Sequence, residues 1–133
     1  MKTIKFLIPL FVVAVAFLSF KMEDQEKWVV PAKYEKMENP TNPKKDLAIG
    51  KSLYNKHCKS CHGKEGYGDG PKAADQDGDL GDFSSAEFQK QSDGAIFYKS
   101  WIGDFGDMPN YQKKIPDAED AWLIVNYVRT LEE

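Results

Sequence analysis

Apolar residues recur at three- and four-residue steps in residues 46–58, which predicts a helix with one buried face. That face consists of Leu47, Gly50, Leu53 and Tyr54. Asp46 directly precedes the face and has a side chain of the type that caps helix N-termini. We therefore expect a helix that Asp46 caps and that runs to about Cys58.

The same spacing returns at the end of the chain, where Pro116 and Asp117 are typical first residues of a helix. Its apolar face holds Ala121, Trp122, Val125, Tyr127, Val128 and Leu131. Two shorter helices are predicted to begin at serine caps, namely Ser84 or Ser85 for the first and Ser92 for the second. Gly103 is expected to end the second of them. No segment alternates apolar and polar residues as a strand does, so the chain is predicted to be all-α.

The segments between these helices have the composition of loops. Residues 63–71 contain four glycines, and residues 72–83 are irregular and acidic. The stretch Asp75–Asp79 is similar to the first positions of a calcium-binding loop, but it lacks the glycine at the sixth position and the glutamate at the twelfth. We interpret it as a solvated turn.

The N-terminus has the pattern of a targeting segment. Lys2 and Lys5 precede an apolar run of 15 residues, 6–20, and Ala14-Val15-Ala16 fits a small-x-small cleavage site. A basic start before a short apolar stretch is typical of a secretory signal, and the run is shorter than the ~20 residues of a usual spanning helix. Residues 1–20 are therefore expected to be a cleaved signal peptide or an N-terminal membrane anchor. Both deliver the rest of the chain outward.

Residues 21–45 are interpreted as a polar connector that precedes a folded domain at residues 46–133. Three prolines and many Lys and Glu residues favour an extended segment without a core of its own. The bulky Trp28 and Tyr34 are unusual in a simple tether. We therefore expect these residues either to pack on the domain or to contact a partner.

Charge is distributed unevenly between these parts. From residue 46 onward there are 10 Lys and Arg against 16 Asp and Glu, a net charge of −6, whereas the whole chain carries −3. An acidic domain argues against nucleic acid as a partner and favours proteins with basic or charge-patterned surfaces. Solubility alone accounts for such a surface equally well. A domain of this size buries limited apolar surface, so a large apolar cofactor would stabilise it.

The chain has only two cysteines, and they lie in Cys58-Lys59-Ser60-Cys61-His62. This is the Cys-x-x-Cys-His spacing of covalent haem attachment, in which each thiol forms a thioether to a vinyl group and the following histidine is the proximal ligand of iron. A disulfide exchanger also uses Cys-x-x-Cys, but it expects a βαβ setting. Four donors within residues 57–62 are too close in the chain to surround a zinc ion, and a structural disulfide leaves His62 unexplained. We expect one covalent haem c, bound through Cys58, Cys61 and His62.

Met108 is the candidate for the opposite axial position. It precedes Pro109 in a glycine-rich loop, and it is the only methionine within residues 46–133. A thioether sulfur is a soft ligand that favours reduced iron and raises the potential. The alternative is core packing, the usual role of methionine. His57, the only other histidine, adjoins Cys58 and is expected to be a polar or packing residue.

These motifs, in this order and with flanking helices, resemble a class I cytochrome c over residues 46–133. The resemblance implies an all-α, small cytochrome c fold in which the N- and C-terminal helices cross and short helices and loops wrap around one covalently bound haem. It also implies that Gly50 and Tyr54 of the first helix face Trp122 and Tyr127 of the last, the glycine allowing a close approach and an aromatic ring filling the gap beside it.

The resemblance further assigns a hydrogen bond to the His62 ring. The family has a Gly-Pro after the haem motif, matched here by Gly70-Pro71, and the Pro71 carbonyl would accept the Nδ1 proton and orient the imidazole. Further candidate contacts to the haem are Leu80 and Phe83, which can line it, and Trp101 and Tyr111, whose polar hydrogens can donate to a propionate. Ordinary core packing is the alternative for the last two.

An iron with both axial positions filled transfers electrons and does not bind a substrate. The sequence therefore predicts a monohaem electron carrier, not an enzyme, in the periplasm or on the outer face of the cytoplasmic membrane. We expect a monomer that takes electrons from a quinol- or substrate-oxidising complex and passes them to an oxidase or reductase. Two alternatives stay open: a cytochrome subunit of a larger oxidoreductase complex, with a membrane tether through residues 6–20, and a haem enzyme or ligand sensor with a displaceable Met108.

Overall fold

The computed structural model describes residues 28–133, which form helices joined by loops. The six α-helices are α1 (Ala32–Glu35), α2 (Leu47–His57), α3 (Lys59–His62), α4 (Ala86–Gln89), α5 (Asp93–Phe97) and α6 (Ala118–Arg129). A 3₁₀ turn spans Ala73–Asp75, and α5 continues as a π-helical turn over Tyr98–Ile102. Among the described residues, β-type pairing is limited to one isolated bridge between Phe105 and Met108. The all-α prediction is confirmed.

The predicted targeting segment, residues 1–20, and the first part of the connector lie outside the described residues. The cleaved-signal and membrane-anchor interpretations therefore both stay predictions. Between residues 28 and 133, none of the helices is long and apolar enough to cross a membrane.

The helices α2 and α6 cross and form the largest contact between helices. Gly50 of α2 lies directly on the backbone of α6, because a Cβ at this position would overlap the carbonyl group of Leu123. Beside it, the rings of Tyr54 and Tyr127 are 5.1 Å apart and tilted, within the range of favourable aromatic pairs. The expected crossing of the first and last helices of the domain is confirmed.

Helix α6 is buried on all sides and not only on one face. Its eight residues from Ala121 to Val128 are all buried. Helix α2 covers one side of α6, α5 covers a second, and residues 28–42 cover a third. Trp122 stacks on Phe97 of α5 with ring centroids 3.9 Å apart. A helix enclosed in this way is a central core element.

The predicted helix caps Ser85 and Ser92 are confirmed, and Asp46 is wrong; Asp117, predicted only as one of the first residues of the last helix, is also an N-cap. The side chains of Ser85, Ser92 and Asp117 accept hydrogen bonds from the N–H groups of Phe88 (3.2 Å), Ala95 (3.1 Å) and Glu119 (2.9 Å). Asp46 makes no such bond to α2. Its backbone is left-handed, with φ at 58°, whereas a capping side chain requires an extended backbone at the N-cap.

Residues 28–42, called the arm from here on, pack on the domain. The Asn39 side chain donates to the Asn126 side chain of α6 at 2.7 Å, and Asn126 donates to the Thr41 hydroxyl at 2.8 Å. The Tyr34 ring lies 4.7 Å from that of Tyr98. Because Asn126 is buried and a buried amide requires polar partners, the arm supplies groups that α6 needs. Of the two alternatives for Trp28 and Tyr34, the structure shows packing on the domain.

Candidate functional site

The two cysteines lie at the junction of α2 and α3. The Cys58 carbonyl accepts hydrogen bonds from the N–H groups of Cys61 (3.2 Å) and His62 (3.0 Å), so the three residues share one helical turn. Both side chains are half-buried. Burial, followed by the neighbouring Cys61, raises the pKa of the Cys58 thiol to about 12. A disulfide exchanger requires the opposite, a thiol with a lowered pKa.

His62 is held by a hydrogen bond and by a stacked ring. Its Nδ1 lies 3.1 Å from the carbonyl oxygen of Leu80, and the Phe83 ring stacks on the imidazole with centroids 4.5 Å apart. Burial lowers the pKa of His62, and the bond to Leu80 only partly opposes this. The neutral ring donates through Nδ1–H to Leu80 and leaves the Nε2 lone pair for a metal. His62 therefore has the protonation state of a proximal ligand.

The prediction that Pro71 accepts this bond is wrong, because the accepting carbonyl belongs to Leu80. The N–H groups of Gly70 and Lys72 donate to carbonyl groups of α3 at 3.0 and 2.8 Å. These two bonds hold Pro71 against the end of α3, where it is exposed. The loop of residues 72–83 then returns to the imidazole, and Leu80 lies at the point where it arrives.

Leu80 and Phe83 contribute to the site in different ways. Leu80 supplies a backbone carbonyl, a role that the sequence did not assign to it. Phe83 lies between His62 and Phe88, and its ring stacks on Phe88 with centroids 4.5 Å apart. The sequence analysis did not assign Phe88 to the site. The sequence did indicate that Phe88 lies in the short helix capped by Ser85, which follows Phe83 in the chain. The two phenylalanine rings form an apolar wall beside the imidazole; that Leu80 and Phe83 line a haem stays a prediction.

Met108 ends a tight turn that begins at Phe105. The N–H group of each residue donates to the carbonyl of the other, at 3.1 Å in both directions. Gly106 lies between them in the left-handed region, with φ at 56°, a conformation that glycine adopts at little cost. The turn fixes the backbone from which the half-buried thioether of Met108 projects. Its ligation to iron stays a prediction.

The Met108 turn is bonded to the acidic loop, and the segment that follows the turn is bonded to the end of α2, next to the cysteines. The Asp107 carboxylate accepts the N–H of Asp77 at 2.7 Å, in the acidic loop. On the other side, the Tyr111 hydroxyl donates to the carbonyl of His57 at 3.1 Å. The pKa of Tyr111 is raised, first by burial and then by the two cysteine thiols near it. These links bring the Met108 turn into the same region as the thiols.

The predicted propionate donors use their hydrogens inside the protein instead. The indole N–H of Trp101 donates to the carbonyl of Ile115 at 2.7 Å, and the Tyr111 hydroxyl is engaged with His57. Each bond satisfies a backbone carbonyl away from bulk water. With both hydrogens engaged, the structure supports the core-packing alternative, and a contact of Trp101 or Tyr111 with a haem propionate stays a prediction. Both pack at the edge of the core, and the Trp101 ring lies 5.0 Å from Phe97.

The remaining metal-binding alternatives concern residues 57–62 and Asp75–Asp79. Across residues 28–133, no three His, Cys, Asp or Glu side chains are grouped in a way that could hold a metal ion. His57 lies edge-on to Tyr111 with ring centroids 6.2 Å apart, which is a packing position.

The groups that do assemble suit a covalently attached haem. Cys58 and Cys61 present two thiols within one helical turn, where each can form a thioether. The His62 imidazole is neutral and oriented, and Met108 supplies a soft sulfur in a fixed turn. Cys58, Cys61 and His62 thus fit a covalent haem with a histidine ligand, whereas Met108 as the second ligand, and the electron transfer that two filled axial positions would favour, stay predictions.

Comparisons with known proteins agree with this fit. The sequence profile of the family described as "Cytochrome c" matches residues 47–132. A solved structure described as "Kuenenia stuttgartiensis reducing HAO-like protein complex Kustc0457/Kustc0458" is 28% identical with a TM-score of 0.61; the match covers 73% of this chain and 50% of that one. This chain therefore corresponds to half of that neighbour. A second structure, "KustC0563 c-type cytochrome", is 29% identical with a TM-score of 0.55, covering 63% of this chain and 98% of that one. No curated protein gives a match.

Proposed function

Because the chain belongs to the cytochrome c family, we propose that it is an exported monohaem electron carrier of a respiratory or periplasmic electron-transfer chain. Its cofactor is one covalent haem c. When bound, the haem supplies an iron that exchanges one electron between its ferric and ferrous states. The protein's part is to attach the group, to provide both axial ligands and to exclude water.

The observation that carries the proposal is the state of His62. Its Nδ1 is engaged with the Leu80 carbonyl at 3.1 Å, and its pKa is lowered by burial, so Nε2 stays available as a proximal ligand on the same turn as both thiols. Met108 is the distal ligand in this proposal, supported by the backbone pairing of its turn with Phe105. With both positions occupied by side chains, no coordination position is open for a substrate.

Substitution of the distal ligand tests this assignment. In the ferric parent protein we expect a near-infrared charge-transfer band from sulfur bound to iron. Met108→Ala should abolish the band, lower the reduction potential and allow carbon monoxide to bind the ferrous protein, because a soft thioether stabilises reduced iron and closes the position.

Met37→Ala is the matched control, since Met37 lies in the arm with 37% of its surface exposed. It should retain the band and the potential of the parent. A Met108→Ala protein with an unchanged spectrum and potential would show that another group is the distal ligand. A parent protein whose ferrous form already binds carbon monoxide would favour the alternative of a haem enzyme or sensor with a displaceable Met108.

Partner recognition is proposed to be electrostatic. The domain carries a net charge of −6 from residue 46 onward, and Asp77, Asp104 and Asp107 are exposed on and beside the Met108 turn. Electron-transfer partners meet through small, transient interfaces, for which opposite charge raises the association rate. The expected partners are a quinol- or substrate-oxidising complex as donor and an oxidase or reductase as acceptor, with basic surfaces at their docking sites.

The second candidate is a cytochrome subunit of a larger oxidoreductase complex. It is favoured by the first structural neighbour, which is described as part of a reducing HAO-like protein complex. The two candidates share their haem chemistry and differ in assembly. N-terminal sequencing of the mature protein, together with its native mass in detergent, separates them. A chain cleaved after residues 14–16 and migrating as a monomer supports the carrier, whereas an intact N-terminus in a stable larger assembly supports the subunit.

A further inference from the structure

The arm begins with a tryptophan that lies on the segment leading to Met108. The Trp28 ring stacks on Phe105 with centroids 5.1 Å apart and an angle of 18° between the rings. The same ring covers Gly103, because a Cβ added there would lie 2.8 Å from Cζ2 of Trp28. The Lys99 ammonium group lies 5.9 Å from the centre of the indole, within the range of a cation–π contact. Trp28 therefore contacts residues 103–108, called the Met108 loop from here on, at Gly103 and at Phe105.

Phe105 and Met108 are mechanically linked. They form the two ends of one turn and exchange both backbone hydrogen bonds at 3.1 Å, so a displacement of Phe105 moves the backbone of Met108. Just before this turn, Asp104 has a left-handed backbone with φ at 66°, which is uncommon for a residue other than glycine. Such a segment depends on tertiary contacts to keep its conformation.

The arm is anchored independently of that loop. Tyr34 packs on Tyr98, and Asn39 is bonded to the buried Asn126 of α6. The Ser92 hydroxyl donates to the Glu35 carboxylate at 3.0 Å. Trp28 is thus attached to the core of the domain through contacts that do not involve the Met108 loop, and it can serve as a fixed support for Phe105.

We propose that Trp28 is a positioning residue for the distal ligand: its stacking on Phe105 holds the Met108 turn in the conformation from which the thioether binds iron. The inference rests on the proposed role of Met108 and assigns a function to the arm. Removing the ring frees the turn, so Met108 leaves the iron more readily and a competing ligand enters more easily.

The test is competition for the distal position by added imidazole in the ferric haem protein, followed through the near-infrared charge-transfer band. Trp28→Ala should bind imidazole about tenfold more tightly than the parent, the upper range of what one aromatic stack contributes. Trp28→Phe, which keeps a stacking ring, should recover most of the parental value. Val29→Ala, a change in the adjacent side chain that is 78% exposed, should behave as the parent does.

A general loss of stability is separated from positioning by Tyr54→Phe, which removes a buried hydrogen bond of Tyr54 without touching the arm or the Met108 turn. This variant should unfold at lower denaturant concentration and keep the parental imidazole affinity. Equal affinity in Trp28→Ala and the parent, or an equal rise in Tyr54→Phe, would overturn the proposal. A parent protein without the charge-transfer band would instead overturn the assignment of Met108, so the two failures are distinguishable.

Discussion

At the scale of single residues, aromatic side chains donate their polar hydrogens to carbonyl groups that helix ends leave free. The Tyr54 hydroxyl donates to the carbonyl of Gly63 at 2.8 Å, directly after α3, where carbonyl groups lack partners within the helix. Burial is the main cause that raises the pKa of Tyr54, which keeps the hydroxyl protonated as a donor. The Tyr111 hydroxyl donates in the same way to the carbonyl of His57, the last residue of α2, whereas the Trp101 indole donates to the carbonyl of Ile115 in the loop before α6.

The Tyr54 hydrogen bond can be removed with almost no change in shape. Tyr54→Phe leaves the Gly63 carbonyl without its donor in a buried position, so the free energy of unfolding should fall by about 1–3 kcal/mol. Tyr67→Phe is the control, since the Tyr67 hydroxyl bonds Glu133 at the exposed surface and its loss should change stability by no more than about 0.5 kcal/mol. Denaturant titration of both haem proteins measures the difference. Equal midpoints for the two variants would contradict the role given to the Gly63 bond.

At the scale of elements, the sequence predicted which helices form, and the tertiary structure determined what surrounds them. Serine caps and periodicity located α4, α5 and α6 because these signals act within one or two turns. The burial of Asn126 was not predicted, because the residues that satisfy it, Asn39 and Thr41, come from a polar, proline-containing arm without a periodic pattern. Asp46 failed as a cap because its backbone conformation, and not its residue type, decides where the carboxylate points.

The crossing of α2 and α6 depends on the absence of a side chain at Gly50. In Gly50→Ala the new Cβ meets the backbone of Leu123, which cannot rotate away as a side chain can, so the helices must separate. Overpacking of this kind costs about 1–3 kcal/mol, and the better helix propensity of alanine returns about 1 kcal/mol. Because the contact is with rigid backbone, we expect overpacking at the upper end of this range and thus a net loss of stability of about 2 kcal/mol, measured by denaturant titration.

Gly78→Ala is the matched control for this prediction, because a Cβ at Gly78 would meet nothing within 4 Å. Its stability should stay within about 0.5 kcal/mol of the parent or rise slightly, since alanine restricts the unfolded chain. A Gly50→Ala protein as stable as the Gly78→Ala protein would show that the two helices do not need this close approach.

At the scale of the whole molecule, the domain combines a core of helices with a negative surface. Its charge of −6 includes the exposed carboxylates of the Met108 turn and of the acidic loop. A field of one sign attracts oppositely charged reactants and raises their rate of encounter, and salt screens it. The charge thus governs how partners approach the site more than it affects the fold.

This surface predicts opposite salt effects for oxidants of opposite charge. Oxidation of the ferrous protein by the trivalent cation tris(phenanthroline)cobalt(III) should slow several-fold when ionic strength is raised from about 0.01 to about 0.5 M, because screening removes the attraction. Oxidation by the trivalent anion ferricyanide should accelerate under the same change. Stopped-flow absorbance measures both rates, and each reagent is the control for the other. Rates that respond to salt in the same direction would contradict steering by the acidic surface.

The sequence by itself determined the chemistry of the attachment site and the positions of the main helices. Cys58, Cys61 and His62 are neighbours in the chain, so one helical turn is enough to bring their side chains together, and helix periodicity is likewise a local signal. The tertiary structure decided which carbonyl orients His62, which hydrogens of Trp101 and Tyr111 are already engaged, and where the arm packs. Every residue carries a carbonyl group, so sequence alone does not distinguish Leu80 from Pro71 as the acceptor. That choice depends on the path of the irregular loop, which only the packing of the folded chain fixes.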